Sequence, residues 1–402
     1  MIARAVLRRR LPPRVVLITV SALAAAALAA CSGGGSATQT SASAAAPSLP
    51  TPLARSLQSA AGTWATVPMG HLDQPLNTFW QLFFRPAGGA SWSNQVQATA
   101  TATNGGLILA DDHGGAVIVG VRPTDLLTYS PLISTADGGR SWSTGLVSEG
   151  LLARPDSLAA NSPSQALALA NGRGGAEVLA SADGLSGWRT ASTARALAAT
   201  AAGRTCALAA ITAVAYLAAD PLVGASCARP GMIGVFVEHA GSWQLLAATA
   251  PSSLARARVE VLALQSADGG AQALLGVSAG GASDLVAAWY EHGQWLSSRP
   301  LAVGASERVS SYGPATGSGI FALLTGASGA KRLAVASAPG AAWQQLTPPP
   351  AGTATIAFAG GSSVDALAVH DTVLTVWGLA PSAHTWTRRQ TIDVPIEFGS
   401  SE

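Results

Sequence analysis

The sequence predicts an all-β fold in which one four-stranded sheet is repeated several times, behind a leader and a flexible tether. Three observations point there. Tryptophan recurs at positions 92, 142, 188, 243, 295, 343 and 386, with separations of 50, 46, 55, 52, 48 and 43 residues. Between these marks, short β-prone runs alternate with Gly, Asp and Pro turns. Helical periodicity is absent throughout the span expected to fold, 59–402.

Composition supports this reading. The chain has 402 residues, 49% hydrophobic and 11% charged, so it can bury a large core. Its 44 Gly and 23 Pro suit many tight turns. One lysine, Lys331, stands among 23 basic residues, and the Arg and Ala bias suggests a GC-rich coding genome of the actinobacterial type. The net charge of +2 is uneven. Arg4, Arg8, Arg9, Arg10 and Arg14 precede every acid, and the remainder sets 18 basic against 21 acidic residues. A slightly acidic body with no basic block argues against nucleic acid as a partner.

The N-terminus reads as an address. After the basic residues, a largely apolar run of 16 residues extends from Val15 to Ala30, a length that suits a signal peptide and is short for a spanning helix. Leu28-Ala29-Ala30-Cys31 resembles the lipobox of bacterial lipoproteins. That resemblance implies cleavage before Cys31 and palmitate-type acylation there. Each buried CH₂ would add roughly 0.8 kcal/mol to membrane anchoring. The expectation is therefore a cell-membrane lipoprotein on the extracytoplasmic face, with a signal peptide over 1–31. Arg8-Arg9-Arg10 leaves Sec and twin-arginine export both open. Residues 32–58, rich in Ser, Ala, Gly and Pro, read as a disordered linker.

The repeat is clearest at Thr135 to Trp142, TADGGRSW. Asp137 can accept hydrogen bonds from backbone N–H groups ahead of it, and Gly139 permits a left-handed turn. The pattern Thr135-x-Asp137-x-Gly139-x-Ser141-Trp142 resembles an Asp-box, the BNR repeat of bacterial neuraminidases. In that family it forms the turn between the third and fourth strands of a β-propeller blade. Ser181, Asp183 and Trp188 keep three of the offsets, whereas Arg85 to Trp92 keeps Gly89, Ser91 and Trp92 with Ala87 in place of Asp. Seven tryptophan marks predict seven blades. Closing the ring predicts that Thr391–Phe398 pairs near Thr63–Val67.

Two cysteines remain after Cys31. Cys206 and Cys227 are expected to form a disulfide between neighbouring strands of the fourth repeat, closing a loop of about 20 residues worth roughly 3 kcal/mol.

Catalytic chemistry is not found. Resemblance to neuraminidases would require three arginines, a Tyr–Glu pair, an Asp acid and an Arg-Ile-Pro motif. Phe84-Arg85-Pro86 lacks the Ile, and adjacent Tyr290-Glu291 would point to opposite faces of a strand. Asp111-Asp112-His113 reads as a solvated turn, and the six histidines lack metal-ligand spacing. The 21 acids are thinly spread, so no carboxylate cluster is expected at a channel mouth. The sequence thus predicts no cofactor, no metal and no catalytic residue. It predicts a monomeric binding or scaffold module for an envelope protein or glycan; the resemblance to Asp-box proteins also implies a scaffold role like that of photosystem-assembly propellers. The alternative is a divergent sialidase-like glycoside hydrolase.

Overall fold

The computed structural model describes residues 54–72, 74, 77–95, 105–112, 115–121, 132–143, 154–172, 175–182, 187–247, 250–267, 270–359, 363–381 and 383–395. The expected leader, Cys31 and residues 32–53 lie outside them. The fold belongs to the unit Ala46–Glu402.

The described strands form consecutive antiparallel groups, each begun by an inner strand and ended by an outer one. The first holds β1 (Ala54–Ser59), β2 (Gly62–Gly70), β3 (Thr78–Pro86) and β4 (Ser93–Asn94). The second holds β5 (Leu107–Asp111), β6 (Val117–Val121) and β7 (Leu132–Thr135), with Ser143 bridged to Ser134. The third holds β8 (Arg154–Ser162), β9 (Gln165–Gly172), β10 (Gly175–Ser181) and β11 (Arg189–Thr193). Two short helices follow, α1 (Ala194–Ala199) and α2 (Ala201–Cys206). The fourth group is β12 (Leu208–Leu217), β13 (Asp220–Cys227), β14 (Gly234–His239) and β15 (Ser242–Leu245). The fifth is β16 (Arg258–Ala267), β17 (Gly270–Ala279), β18 (Ala282–Glu291) and β19 (Gln294–Ser297), with β20 (Leu301–Val303) added against β18. The sixth is β21 (Arg308–Pro314), β22 (Ile320–Thr325), β23 (Lys331–Ala336) and β24 (Gln344–Gln345). The last is β25 (Thr353–Ala359), β26 (Ser363–His370), β27 (Val373–Leu379) and β28 (Thr387–Asp393).

Sheets with two apolar faces must bury both, and packing around a ring does so. Each apolar cluster lies between neighbouring groups. Leu57, Trp64 and Leu82 of the first meet Leu107 and Val119 of the second. The second meets the third through Ile118, Leu132 and Leu158, and the third meets the fourth through Leu169, Val178 and Phe236. The series continues through Val235 with Leu275, Leu285 with Leu324, and Phe321 with Phe358. It closes where Ala65, Val67 and Phe83 of the first group pack on Leu367, Leu374 and Val376 of the last. The chain is a β-propeller.

The tryptophan series occupies one repeated place. Each of the seven stands at or just before the outer strand of its group and packs into the seam with the preceding group. Trp92 of the first group enters the seam with the last. The hairpins leading to Trp243 and Trp295 are alike. Ala240-Gly241 and His292-Gly293 both have positive φ, the two-residue turn that matches strand twist. The turns are offset by one residue relative to the Glu-His that precedes each: His239 still pairs with Ser242, whereas His292 lies in the turn itself after Glu291 pairs with Gln294.

Four expectations need correction. The linker cannot extend to residue 58, because Ala54–Ser59 is β1, the innermost strand of the first group. Its polar sequence resembled a tether because it faces a polar channel. Thr391–Asp393 does not pair with Thr63–Val67; it lies in β28 against Val373–Thr375 of β27, while 396–398 fall outside the described residues. Ring closure uses a backbone hydrogen bond, Gly70 N to Asp371 O (2.8 Å), and side-chain packing, with Val394 in the same cluster as Ala65 and Val67. Helix does occur, in the alanine-rich run after Thr193. Thr193 Oγ1 accepts from Ala196 N (3.0 Å) and Thr200 Oγ1 from Gly203 N (2.9 Å), capping α1 and α2. Six-residue helices are too short to display a period. Finally, Cys206 ends α2 rather than lying on a strand. It is bonded to Cys227, at the end of β13, with Cα atoms 5.0 Å apart. The bond and buried Leu197 dock helices that would be marginal alone.

Candidate functional site

The inner strands end around a cavity of about 800 Å³. β1, β5, β8, β12, β16 and β21 all contribute, but β25 does not. β1 runs parallel to β21, pairing Ala54 with Ser311 and Arg55 with Tyr312, and packs against β25. Arg55, Leu158 and Leu264 also line a second, much smaller cavity of about 20 Å³. They separate the two spaces and floor the larger one.

Arg55 Nη1 donates to Leu109 O (3.1 Å), and the guanidinium lies 5.8 Å from the Tyr312 ring centroid. Among the described residues no carboxylate pairs with it. Around it the wall is built from amides. Gln58 Nε2 donates to Phe358 O (2.5 Å). Gln265 Nε2 donates to Gln272 Oε1 (2.8 Å), and Gln272 Nε2 to Ser318 O (2.7 Å). Trp289 Nε1 donates to the same carbonyl at 2.7 Å, and Asn161 Nδ2 to Gln165 Oε1 at 2.8 Å. These carbonyl partners fix the orientation of Gln58 and Gln272. Both Gln58 and Gln265 fall in a Leu-Gln-Ser run near the end of an inner strand, Leu57-Gln58-Ser59 on β1 and Leu264-Gln265-Ser266 on β16, and both line the cavity.

Sequence reasoning missed Arg55 and Gln58, which it assigned to the linker, and Gln265 and Gln272, which it left in a strand core. The shared Leu-Gln-Ser run was the available signal. Sparse acids also proved a poor guide: Asp111, Asp112 and Glu291 all line this cavity, beside Tyr290. The sequence expected no carboxylate cluster at the channel mouth; three carboxylates nevertheless share this lining. They do so because the ends of β5 and β18 reach the same cavity, whatever their distance in sequence. Asp112 Oδ1 accepts from Ala116 N (2.8 Å), which ties the turn after β5. Among the described residues no three His, Cys, Asp or Glu side chains are grouped as a metal site would require.

The expected turn site lies elsewhere, in the second group beyond β7. Thr135 Oγ1 donates to Asp137 Oδ1 and accepts from Gly139 N, both at 2.9 Å. Asp137 Oδ1 accepts from Ser141 N (2.9 Å) and Oδ2 from Ser141 Oγ (2.6 Å). Those bonds to the charged form, from Ser141 first, hold the Asp137 carboxyl down at about 2. Gly139 has φ of +82°, and a Cβ there would strike Gln95. Trp142 then meets Trp64 edge-on, with centroids 6.0 Å apart. In the third group Ser181 is buried at the end of β10 and Trp188 is half-buried in the seam, while Asp183 lies outside the described residues. Cys31 lies outside them as well.

The first group's matching turn lacks an Asp, and Arg85 Nε closes it onto Gly89 O (2.7 Å). The same guanidinium reaches across the closing seam through Nη1 to Asp365, which is 1% exposed. Arg389 Nη1 (3.1 Å) and Trp92 Nε1 (3.0 Å) also donate to Asp365. Beside it the Gln390 amide grips both Trp92 N and Trp92 O, each at 2.8 Å.

The sequence matches no family model and no curated protein. Solved structures are similar to it in fold. A candidate 6-phosphogluconolactonase from Bacteroides uniformis is 14% identical, with a TM-score of 0.51, over 83% of this chain and 97% of that one. YCF48 bound to D1 peptide is 15% identical, with a TM-score of 0.43, over 80% of this chain and 92% of that one. The fucose-recognising six-bladed lectin of Aleuria aurantia is 15% identical, with a TM-score of 0.44, over 75% and 95%. At such identities the likeness concerns the fold alone.

Proposed function

We propose that this chain is a membrane-anchored, extracytoplasmic binding propeller that holds its ligand in the channel cavity and catalyses nothing. The observation that carries the reading is the cavity itself. It has the size of a small-molecule site, and its lining mixes apolar side chains with amides and carboxylates from six inner strands and from β17 and β18. In the same reading the groups are seven blades, the Thr135–Trp142 turn is an Asp-box that stiffens one of them, and Cys31 carries the lipid. An Asp-box tightens a blade; it does no chemistry on a ligand.

The test has two parts. Fatty-acid labelling of the chain in its host should mark the wild type and spare Cys31→Ser. Ligand screening should yield binders that Asn161→Trp, which fills the cavity wall, displaces. Binding indifferent to Asn161→Trp would move the site elsewhere. A divergent glycoside hydrolase is the second reading, favoured by Asp111, Asp112 and Glu291 around one cavity. Turnover of aryl glycosides that Glu291→Gln abolishes would establish it instead.

A further inference from the structure

The chemistry of the cavity narrows the ligand; the argument rests on the cavity being a binding site. Arg55 offers five N–H donors, of which Nη1 alone has a hydrogen-bond partner among the described residues. Its Nε is buried with no partner among the described residues. A guanidinium on the floor of a recess, lined also by Asp111 and Asp112 but within ion-pair distance of no carboxylate among the described residues, is an incomplete electrostatic arrangement. The amides above it are polarised the other way. Gln58 and Gln265 spend an Nε2–H on the wall, at Phe358 O and Gln272 Oε1, which leaves their Oε1 atoms as acceptors. Glu291 adds a carboxylate to the same lining. The recess therefore presents one cation at its floor and acceptors above.

We infer that the cavity takes a small aminocarboxylate, a free amino acid or short peptide, with its carboxylate on Arg55 and its ammonium toward Gln58, Gln265 and Glu291. A guanidinium fork matches a carboxylate in two parallel hydrogen bonds, and Arg55 gains the counter-charge it lacks. The ammonium supplies the donors that two amide oxygens and a carboxylate want. A neutral sugar would satisfy the acceptors and leave Arg55 alone. A simple dicarboxylate would satisfy Arg55 and meet Glu291 with like charge.

Calorimetric titration of the folded chain decides this, using L-amino acids, dipeptides, their carboxamides, hydroxycarboxylates and neutral sugars. Amino acids or dipeptides should bind at least about tenfold more tightly than their carboxamides. Arg55→Gln should erase that preference, and Arg55→Lys, which keeps the charge and loses the fork, should retain only part of it. Glu291→Gln should weaken aminocarboxylates and leave hydroxycarboxylates unchanged. Circular dichroism of each variant separates lost binding from lost folding. The inference is overturned if Arg55→Lys or Arg55→Gln folds and binds as the wild type does. It is equally overturned if neutral sugars or hydroxycarboxylates are the ligands. In those cases displacement by Asn161→Trp would still uphold the cavity as a site. Failure of every probe to bind overturns the inference too.

Discussion

Two seams of the ring are built from different materials. Between the fourth and fifth groups, Trp295 Nε1 donates to a backbone carbonyl, Leu246 O, at 2.7 Å. The backbones also touch there, where Ser226 pairs with Glu260. Between the last group and the first, the equivalent indole, Trp92, donates to a buried carboxylate held by two arginines. The difference follows from covalent connectivity. Neighbouring groups along the chain are tethered by their own linkers, so an apolar seam with neutral hydrogen bonds, such as Thr212 Oγ1 to Val261 O and Ser266 Oγ to Tyr216 O (both 2.6 Å), suffices. The first and last groups are joined by nothing but their contacts, and each is made wholly from its own end of the chain. Directional, charge-assisted bonds then set their register. The lesson is that a propeller without a shared strand can close through a buried charged cluster, backed by apolar packing and a backbone hydrogen bond from Gly70 N to Asp371 O.

Breaking the closing seam should have the largest effect. Asp365→Ala leaves Arg85 and Arg389 facing each other without a counter-charge, and should cost about 3–5 kcal/mol in urea unfolding. The disulfide comes next and acts within a group rather than between groups. Replacing Cys206 and Cys227 by alanine should cost about 3 kcal/mol by the same measurement, and should release α1 and α2 first in hydrogen exchange. At the ordinary seam, Trp295→Phe removes one indole hydrogen bond and some volume, and should cost about 1–2 kcal/mol. A result equal to that of Asp365→Ala would erase the distinction between the seams.

The smallest effect belongs to the exposed turn. The Asp137 carboxyl is held at about 2 in the folded chain, below its ordinary 3.8. A depressed acid stabilises the fold where it is charged. Its contribution is whole above about 3.8 and is lost as pH falls through about 2. Carboxyl-carbon NMR should place its titration near 2, and Ser141→Ala should move it upward. An unshifted midpoint would mean that the turn is open in solution.

Much of the ring was legible before the structure, and the reason is physical. Large apolar side chains at a fixed place in each group leave a period in the sequence, as Trp92, Trp142 and Trp295 do. Tight turns leave Gly and Asp, as at Thr135–Trp142. The cavity was hidden for the opposite reason. A strand that lines a polar channel carries polar residues, so Ala54–Ser59 reads as tether, and its Arg55 and Gln58 vanish into it. Asp365 was equally hidden, because its partners, Arg85, Trp92 and Arg389, are brought to it by closure of the ring. Asp111 and Glu291, 180 residues apart, meet around one cavity for the same reason.

The most direct test of ring closure is energetic coupling between its two ends. In a double-mutant cycle of Arg85→Met with Asp365→Asn, one residue lies in the first group and the other in the last. A closed ring predicts that the double variant departs from additivity by about 1.5–3 kcal/mol. Additivity within about 0.5 kcal/mol would show that the first and last groups do not meet, and would contradict the account.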